Sequence, residues 1–131
     1  MGTQASKITH GIHISVDTKY QIEHSVIEHR HYLFSYRICI ENKSEYTVQL
    51  LSRHWEIFDS SGENSVVDGP GVVGEQPILE PGEIFEYESA CSLNSDMGKM
   101  KGTYLMERQI DKTHFIVTIP EFELIIPQRL N

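Results

Sequence analysis

Apolar and polar residues alternate along two early stretches of the chain, and this period of two predicts β-strands. From Ile8 to Val16 the apolar residues take every second position, and only His10 breaks the alternation. The second stretch is more regular, with one face formed by Tyr32, Phe34, Tyr36, Ile38 and Ile40. We therefore predict two half-buried strands of the antiparallel type, connected by a polar loop from Gln21 to Arg30.

The next strand follows the polar turn Asn42–Glu45 and ends at the turn residues Asp59–Gly62. Its apolar residues change parity near Leu51, which predicts a bulge or a strand between two packed surfaces. Further strands are predicted at Glu83–Ser89, Lys99–Ile110 and Phe115–Ile126. A parity change around Pro120 predicts an edge position or a bulge in the last of them.

Seven or so short strands without a helical stripe predict an all-β fold: an antiparallel two-sheet β-sandwich of the immunoglobulin or fibronectin type III-like kind. The 131 residues, 39% of them hydrophobic, fit a single domain over residues 1–131, with residues 1–7 expected to be flexible. Neither a membrane-spanning run nor a secretory signal is visible, so we expect a cytoplasmic protein without membrane insertion.

The formal net charge of -8 argues against nucleic-acid binding, which requires a basic face. The two cysteines, Cys39 and Cys91, form no C-x-x-C pair. In a reducing compartment such thiols are most often small buried hydrophobic residues, and they offer no starting point for a zinc site.

Three glycines at positions 69, 71 and 74 have the spacing of a dinucleotide-binding fingerprint. That fingerprint requires a helix directly after the glycines, because the helix N-terminus contacts the pyrophosphate. Pro77 and Pro81 prevent a sustained helix here, and the predicted strands provide no parallel sheet. The stretch is therefore not a Rossmann motif.

Two interpretations of this glycine stretch remain open. The glycines could permit positive φ angles in a loop that folds back over the sandwich, with Val72 and Val73 against its edge. Alternatively, successive N–H groups could form a nest for phosphate or pyrophosphate, with a cation from Arg53 or from Lys99 and Lys101. The candidate phosphate-binding residues are Gly69, Gly71, Val72, Val73, Gly74 and Arg53.

Several motifs in this order resemble the ApaG family, also called CorD. They are LLSRHWEIFD (Leu50–Asp59), GVVGEQP (Gly71–Pro77), GKMKGTYLM (Gly98–Met106) and IPEFEL (Ile119–Leu124). The similarity extends over nearly the whole chain. Two departures are Ala90, where the family usually has glycine, and Asp111-Lys112-Thr113, where it has an Asp-Gly turn.

The resemblance implies a fibronectin type III-like sandwich in a bacterial protein linked to cobalt resistance and magnesium efflux. Similar eukaryotic domains look like protein-binding modules, which favours protein–protein interaction as the activity. The family's glycine motif has been proposed to bind pyrophosphate or a nucleotide polyphosphate, and by position it corresponds to Gly69, Gly71 and Gly74. The resemblance implies no catalytic residues and no cofactor.

The remaining chemistry of the sequence is sparse. No G-x-S-x-G, P-loop or H-E-x-x-H motif is present, so we expect a non-enzymatic protein. The pairs His10 with His13 and His29 with His31 could in principle hold a transition metal, but solvated surface histidines are the favoured interpretation, and no metal site is predicted.

Two further expectations concern packing and partners. Trp55 should fill the space between the sheets, and Arg53 shares its parity unless a bulge separates the two directions. A sandwich also leaves strand edges that can pair with a partner peptide or a second copy. Exposed apolar residues such as Ile125 and Ile126 suggest a homodimer or partner interface near the C-terminus.

Overall fold

Residues 4–130 are described by a computed structural model, in which they form nine β-strands in two antiparallel sheets. The strands are β1 (Gln4–Thr9), β2 (Ile12–Tyr20), β3 (Tyr32–Asn42), β4 (Val48–Asp59), β5 (Ser65–Pro70), β6 (Ile78–Leu79), β7 (Ile84–Leu93), β8 (Met97–Arg108) and β9 (Thr113–Ile125). One sheet has the order β1-β2-β3-β7, and the other has the order β5-β4-β8-β9, with β6 also paired to β4. The predicted two-sheet sandwich is confirmed.

Short 3-10 helices lie at Ile22–His24, Ile27–His29 and Pro127–Leu130. The first two occupy the connection between β2 and β3 that the sequence predicts as a polar loop. Within residues 4–130, no helix combines the length and the apolar character that crossing a membrane would require.

The core lies between the two sheets and is built from the alternating faces of their strands. On β3 the predicted face is buried, with Phe34, Ile38 and Ile40 almost inaccessible to solvent. Trp55 of β4 is 3% exposed and its ring packs edge-on against Tyr36 and Phe122. The prediction that Trp55 fills the space between the sheets is confirmed, and burial of such a ring is a large apolar contribution.

The buried face predicted at Ile12, Ile14 and Val16 is confirmed in β2. The prediction of one continuous strand from Ile8 to Val16 is wrong, because the chain reverses at His10 and Gly11. These two residues have φ angles of 49° and 79° and connect β1 to β2. Positive φ at both central residues is typical of a two-residue type I′ hairpin turn. Residues 4–7, expected to be flexible, lie in β1 and pair with β2, whereas residues 1–3 are outside the described part.

The parity change in β4 is a bulge at Leu51. The register with β8 pairs Leu50 with Met106 and Ser52 with Leu105, which leaves Leu51 as the extra residue. A similar register shift in β9 lies around Pro120, and β9 is also the last strand of its sheet. Both predicted irregularities are confirmed.

Both cysteines are free thiols, with Cys91 buried and Cys39 half-buried. Burial raises the pKa of the Cys91 thiol to about 11. Ile125 and Ile126 are half-buried, and Ile126 packs against the core. The exposed apolar surface expected at the C-terminus is therefore wrong for these two residues.

Candidate functional site

The glycine stretch forms an excursion between two pieces of one edge strand. β5 pairs with β4 from Ser52 to Ile57, and β6 pairs with the same strand at Val48 and Gln49. Residues 71–77 leave the sheet between these two pieces, directly opposite the bulge in β4. The bulge and the loop are therefore parts of one feature, which we call the glycine loop (residues 69–77).

Hydrogen bonds to the bulge hold both ends of the glycine loop. The carbonyl of Leu51 accepts bonds from the backbone N–H of Gly71 (2.8 Å) and from the side chain of Gln76 (2.8 Å). The N–H of Leu50 donates to the carbonyl of Pro77 (3.0 Å). Gln76 lies within the motif Gly71–Pro77 and anchors the loop, a role that the sequence alone does not indicate.

A tight hairpin forms the tip of the loop. The backbones of Val72 and Glu75 exchange two hydrogen bonds of 2.8 and 2.9 Å, while Val73 and Gly74 have φ angles of 41° and 82°. Val72 is fully buried in the core, whereas Val73 is 55% exposed. The predicted fold-back over the sandwich is therefore correct for Val72, and Val73 projects into solvent.

Gly71 cannot be replaced without moving the backbone. A Cβ atom at this position would lie 2.1 Å from the carbonyl oxygen of Glu75, and the φ angle of 59° is itself unfavourable for other residues. The glycine therefore has a structural role that does not depend on a ligand.

Arg53 is the cation that the fold brings to the glycine loop. Its Nη1 donates to the carbonyl oxygens of Pro70 (3.0 Å) and Gly71 (2.9 Å), and its guanidinium lies over Gly69. Lys99 and Lys101 instead lie over the ring of Phe58, 5.4 and 5.6 Å from its centroid. Of the predicted cations, only Arg53 makes contacts with the loop among residues 4–130.

The loop uses several of its donors internally. The N–H groups of Gly71 and Val72 bond to backbone carbonyls, and one nitrogen of Arg53 bonds to the loop itself. Within the described part of the chain, the N–H groups of Val73 and Gly74 and the Nε and Nη2 atoms of Arg53 have no hydrogen-bond partner. Those four groups are the donors that the loop could offer to an anion.

Arg53 is on the inner side of β4. It pairs in register with the buried Tyr104. Arg53 and Trp55 both follow the bulge at Leu51, so the bulge does not separate the directions of their side chains.

Nearby, the hydroxyl groups of Tyr87 and Tyr104 form a buried hydrogen bond. Burial raises the pKa of both hydroxyl groups, and the positive charge of Arg53 opposes this only weakly, so both hydroxyl groups remain neutral and one donates to the other.

A second feature, not found in the sequence, is the free edge of β7. This ten-residue strand pairs with β3 on one side, and residues 4–130 provide no strand for its other side. Its outer face is exposed along its whole length and consists of Ile84, Glu86, Glu88, Ala90 and Ser92. Sequence alternation predicts such a strand but does not indicate its position in the sheet.

One histidine of each predicted pair contacts a residue that is not a metal ligand of that pair. His10 packs edge-on against Phe115, while His31 shares a hydrogen bond of 3.0 Å with Ser92. The described residues contain no group of three or more His, Cys, Asp or Glu side chains arranged to hold a metal ion.

Comparison with known proteins gives consistent matches. A family model described as the ApaG domain matches residues 22–108. Protein ApaG of Anaeromyxobacter dehalogenans strain 2CP-C is 46% identical over 127 residues, covering 97% of this chain and 99% of the relative. Protein ApaG of Brucella anthropi is 47% identical over 122 residues, covering 93% of each chain. The crystal structure of an ApaA protein from Bordetella pertussis superposes with a TM-score of 0.86 at 40% identity, covering 89% of this chain and 94% of the other.

Proposed function

The chain belongs to the ApaG domain family, and we propose that it is a non-enzymatic binding module that acts through protein–protein contact at the free edge of β7. The observation that carries the proposal is the unpaired side of this ten-residue strand. An unpaired strand edge exposes a row of backbone N–H and C=O groups that an extended segment of another protein can pair with.

The strands at the other sheet edges have features that hinder pairing with a partner, and β7 lacks these features. β5 has six residues and ends in Pro70, β9 carries Pro120 at a bulge, and the short β1 carries Lys7. Proline, lysine, bulges and short length are common means of preventing unwanted strand pairing. β7 has none of them, since its sequence IFEYESACSL contains no proline or lysine and its register with β3 is continuous.

The wider role follows from the family resemblance and is part of the proposal. A cytoplasmic module of this kind would influence cobalt resistance and magnesium efflux by binding a protein of cation transport or its regulation. Such a role requires no metal ligand in the module itself.

A complementation experiment tests the proposal. A bacterial strain lacking its own ApaG-domain gene would carry this protein, its Ala90→Lys variant or its Ser6→Lys variant, and growth would be measured against cobalt concentration. Ala90 is exposed on β7, and Ser6 is exposed on β1 at the opposite edge of the same sheet. We expect Ser6→Lys to restore tolerance and Ala90→Lys to fail, although both unfold at the wild-type temperature. Equal restoration by both variants would refute the role of the β7 edge.

As a second candidate, we propose that the glycine loop binds a small anion, pyrophosphate or a nucleotide polyphosphate. The supporting observation is that Arg53 contacts the loop through Nη1 while its Nε and Nη2 are unused, and that the N–H groups of Val73 and Gly74 in the same loop are also unpaired among the described residues. A guanidinium is well suited to bind phosphate oxygens through two parallel hydrogen bonds.

Calorimetric titration with pyrophosphate tests this candidate, with Arg53→Gln and Arg53→Lys as a matched pair. Gly71→Val is unsuitable, because its side chain would collide with Glu75 and disrupt the loop whether or not an anion binds. Saturable binding that Arg53→Gln abolishes and Arg53→Lys weakens is expected. Binding unchanged in Arg53→Gln, or no heat with the wild type, would exclude the loop as the site.

A further inference from the structure

We propose that the β7 edge accepts an extended partner segment in which basic and apolar residues alternate, rather than a second copy of this chain. This inference rests on the proposed function, because it assigns partner chemistry to the same edge. The supporting observation is that the sheet beside β7 has an acidic outer face and an apolar inner face. A strand added to the edge would extend both faces.

The outer face beside the edge is acidic. Glu86 and Glu88 are exposed on β7, and Glu41 lies on the same face of β3, opposite Ile84 in the register. Arg37 is the basic residue among them, and its guanidinium is paired with Glu86. Glu88 directly faces Arg37 across the ladder and interacts with its charge, but the described residues form no salt bridge to Glu88. Its exposed carboxylate can therefore still form an ion pair with a partner.

An added antiparallel strand would place every second side chain on this outer face, next to Glu86 and Glu88. Opposite charges in directly facing cross-strand positions stabilise a sheet, whereas like charges destabilise it. Lysine or arginine at alternate positions of the partner is therefore the matching chemistry.

The inner face beside the edge is apolar. Phe85 and Tyr87 alternate with the glutamates, and their rings lie 6.2 Å apart. The intervening residues of the partner would lie on this side, where apolar side chains gain most from burial.

The same charges disfavour pairing of β7 with itself. An antiparallel pair of two β7 strands centred on Tyr87 would place Glu86 of one copy directly opposite Glu88 of the other. The net charge of -8 per chain adds repulsion between copies. A basic partner experiences attraction where a second copy experiences repulsion.

Three blocked heptapeptides test the assignment: alternating lysine and valine, alternating glutamate and valine, and alternating threonine and valine. Each would be titrated into the isotopically labelled full-length protein while backbone amide shifts are followed by nuclear magnetic resonance, which detects even millimolar binding. We expect the lysine peptide to shift amides of β7 and β3 and to weaken when salt is raised. Glu88→Gln should reduce its affinity about two- to fivefold, the effect of one cross-strand charge pair. The matched Glu45→Gln, in the exposed turn after β3, should leave the affinity unchanged.

The outcomes separate this inference from the proposed function. If the glutamate or threonine peptide binds β7 at least as tightly as the lysine peptide, the edge is a docking site but the charge assignment is overturned. If no peptide shifts β7, both proposals are overturned. Concentration-dependent shifts of β7 in the protein alone would establish self-pairing and would also overturn the assignment.

Discussion

The guanidinium group of Arg53 lies directly over Gly69, and a Cβ atom at Gly69 would lie 2.9 Å from Nη2. The absence of a side chain at Gly69 is therefore what allows Arg53 to reach the carbonyls of Pro70 and Gly71. Gly69 and Arg53 are coupled residues, although neither the spacing of the glycines nor the parity of β4 indicates this.

The first prediction follows from this coupling. Gly69→Ala should displace the guanidinium and lower the free energy of unfolding by about 1 kcal/mol, the usual contribution of such hydrogen bonds. In an Arg53→Ala background, Gly69→Ala should not lower the free energy of unfolding, because no guanidinium is displaced and alanine is favoured over glycine in a strand. Chemical denaturation of the four proteins measures the coupling, and equal costs in both backgrounds would contradict it.

The second prediction concerns the left-handed backbone of Lys112, where the φ angle is 59°. A residue with a Cβ atom is unfavourable in this conformation, so Lys112→Gly should stabilise the protein by about 1 kcal/mol. The ion pair with Glu107, at 3.6 Å, contributes little against this gain because the Lys112 ammonium is exposed to solvent. Lys112→Ala is the control, because it loses the ion pair but keeps the strain. A thermal midpoint for Lys112→Gly at or below that of Lys112→Ala would refute the prediction.

The third prediction is a pH dependence at His54 and Asp68, which connect β4 to β5 on the outer face. The hydrogen bond to Asp68 (2.6 Å) raises the pKa of His54, and Glu56 adds to the effect. Protonated His54 is thus favoured in the folded state. The stabilisation is complete below the ordinary histidine pKa of about 6.5 and is lost as the pH rises through the raised folded value.

Thermal midpoints of the wild type and Asp68→Asn between pH 5 and pH 9 check this dependence. Asp68→Asn should be less stable than the wild type at acidic pH, and the difference should shrink at alkaline pH. A difference independent of pH would mean that the pair contributes only a neutral hydrogen bond.

The fourth prediction uses the buried hydroxyl pair of Tyr87 and Tyr104. Tyr87→Phe or Tyr104→Phe should each cost about 1–3 kcal/mol, because the remaining buried hydroxyl loses its partner. The double substitution should cost clearly less than the sum of the two, since it leaves no unpaired group. Additive costs in urea denaturation would show that the two hydroxyl groups do not depend on each other.

Much of the fold could be predicted from the sequence because alternation reports burial directly. The faces of β3 and the irregularity near Leu51 follow from parity, and the inward Trp55 follows from the usual place of a large ring between the sheets of a sandwich. Alternation could not separate β1 from β2, because apolar residues flank His10 and Gly11 on both sides and the turn depends on their backbone angles. β5 was missed because its residues are mostly exposed and end in Gly69-Pro70.

The candidate sites, too, could be predicted from the sequence only in part. Arg53 could be selected from the sequence as the cation of the glycine loop, since few basic residues were near enough along the strands. The hydrogen bonds from Nη1 of Arg53 to the loop carbonyls could not be predicted from the sequence, because they depend on the register between β4 and β5. The free edge of β7 was also inaccessible to sequence analysis, because strand order is set by long-range pairing.

The pairing of β7 with β3 has a consequence for biosynthesis. Tyr32 pairs with Leu93 and Glu41 with Ile84, so the three intervening strands β4, β5 and β6 must be made before this ladder can close. Ladders between residues distant in sequence are slow to form. A ribosome-bound chain would therefore expose the β7 side of β3, with its large apolar side chains, until β7 is made. The β3 amides on that side should gain protection from hydrogen exchange only with β7, whereas those that face β2 can be protected earlier. The nascent protein thus has its greatest need of a chaperone at a different strand from the one that the finished protein leaves open.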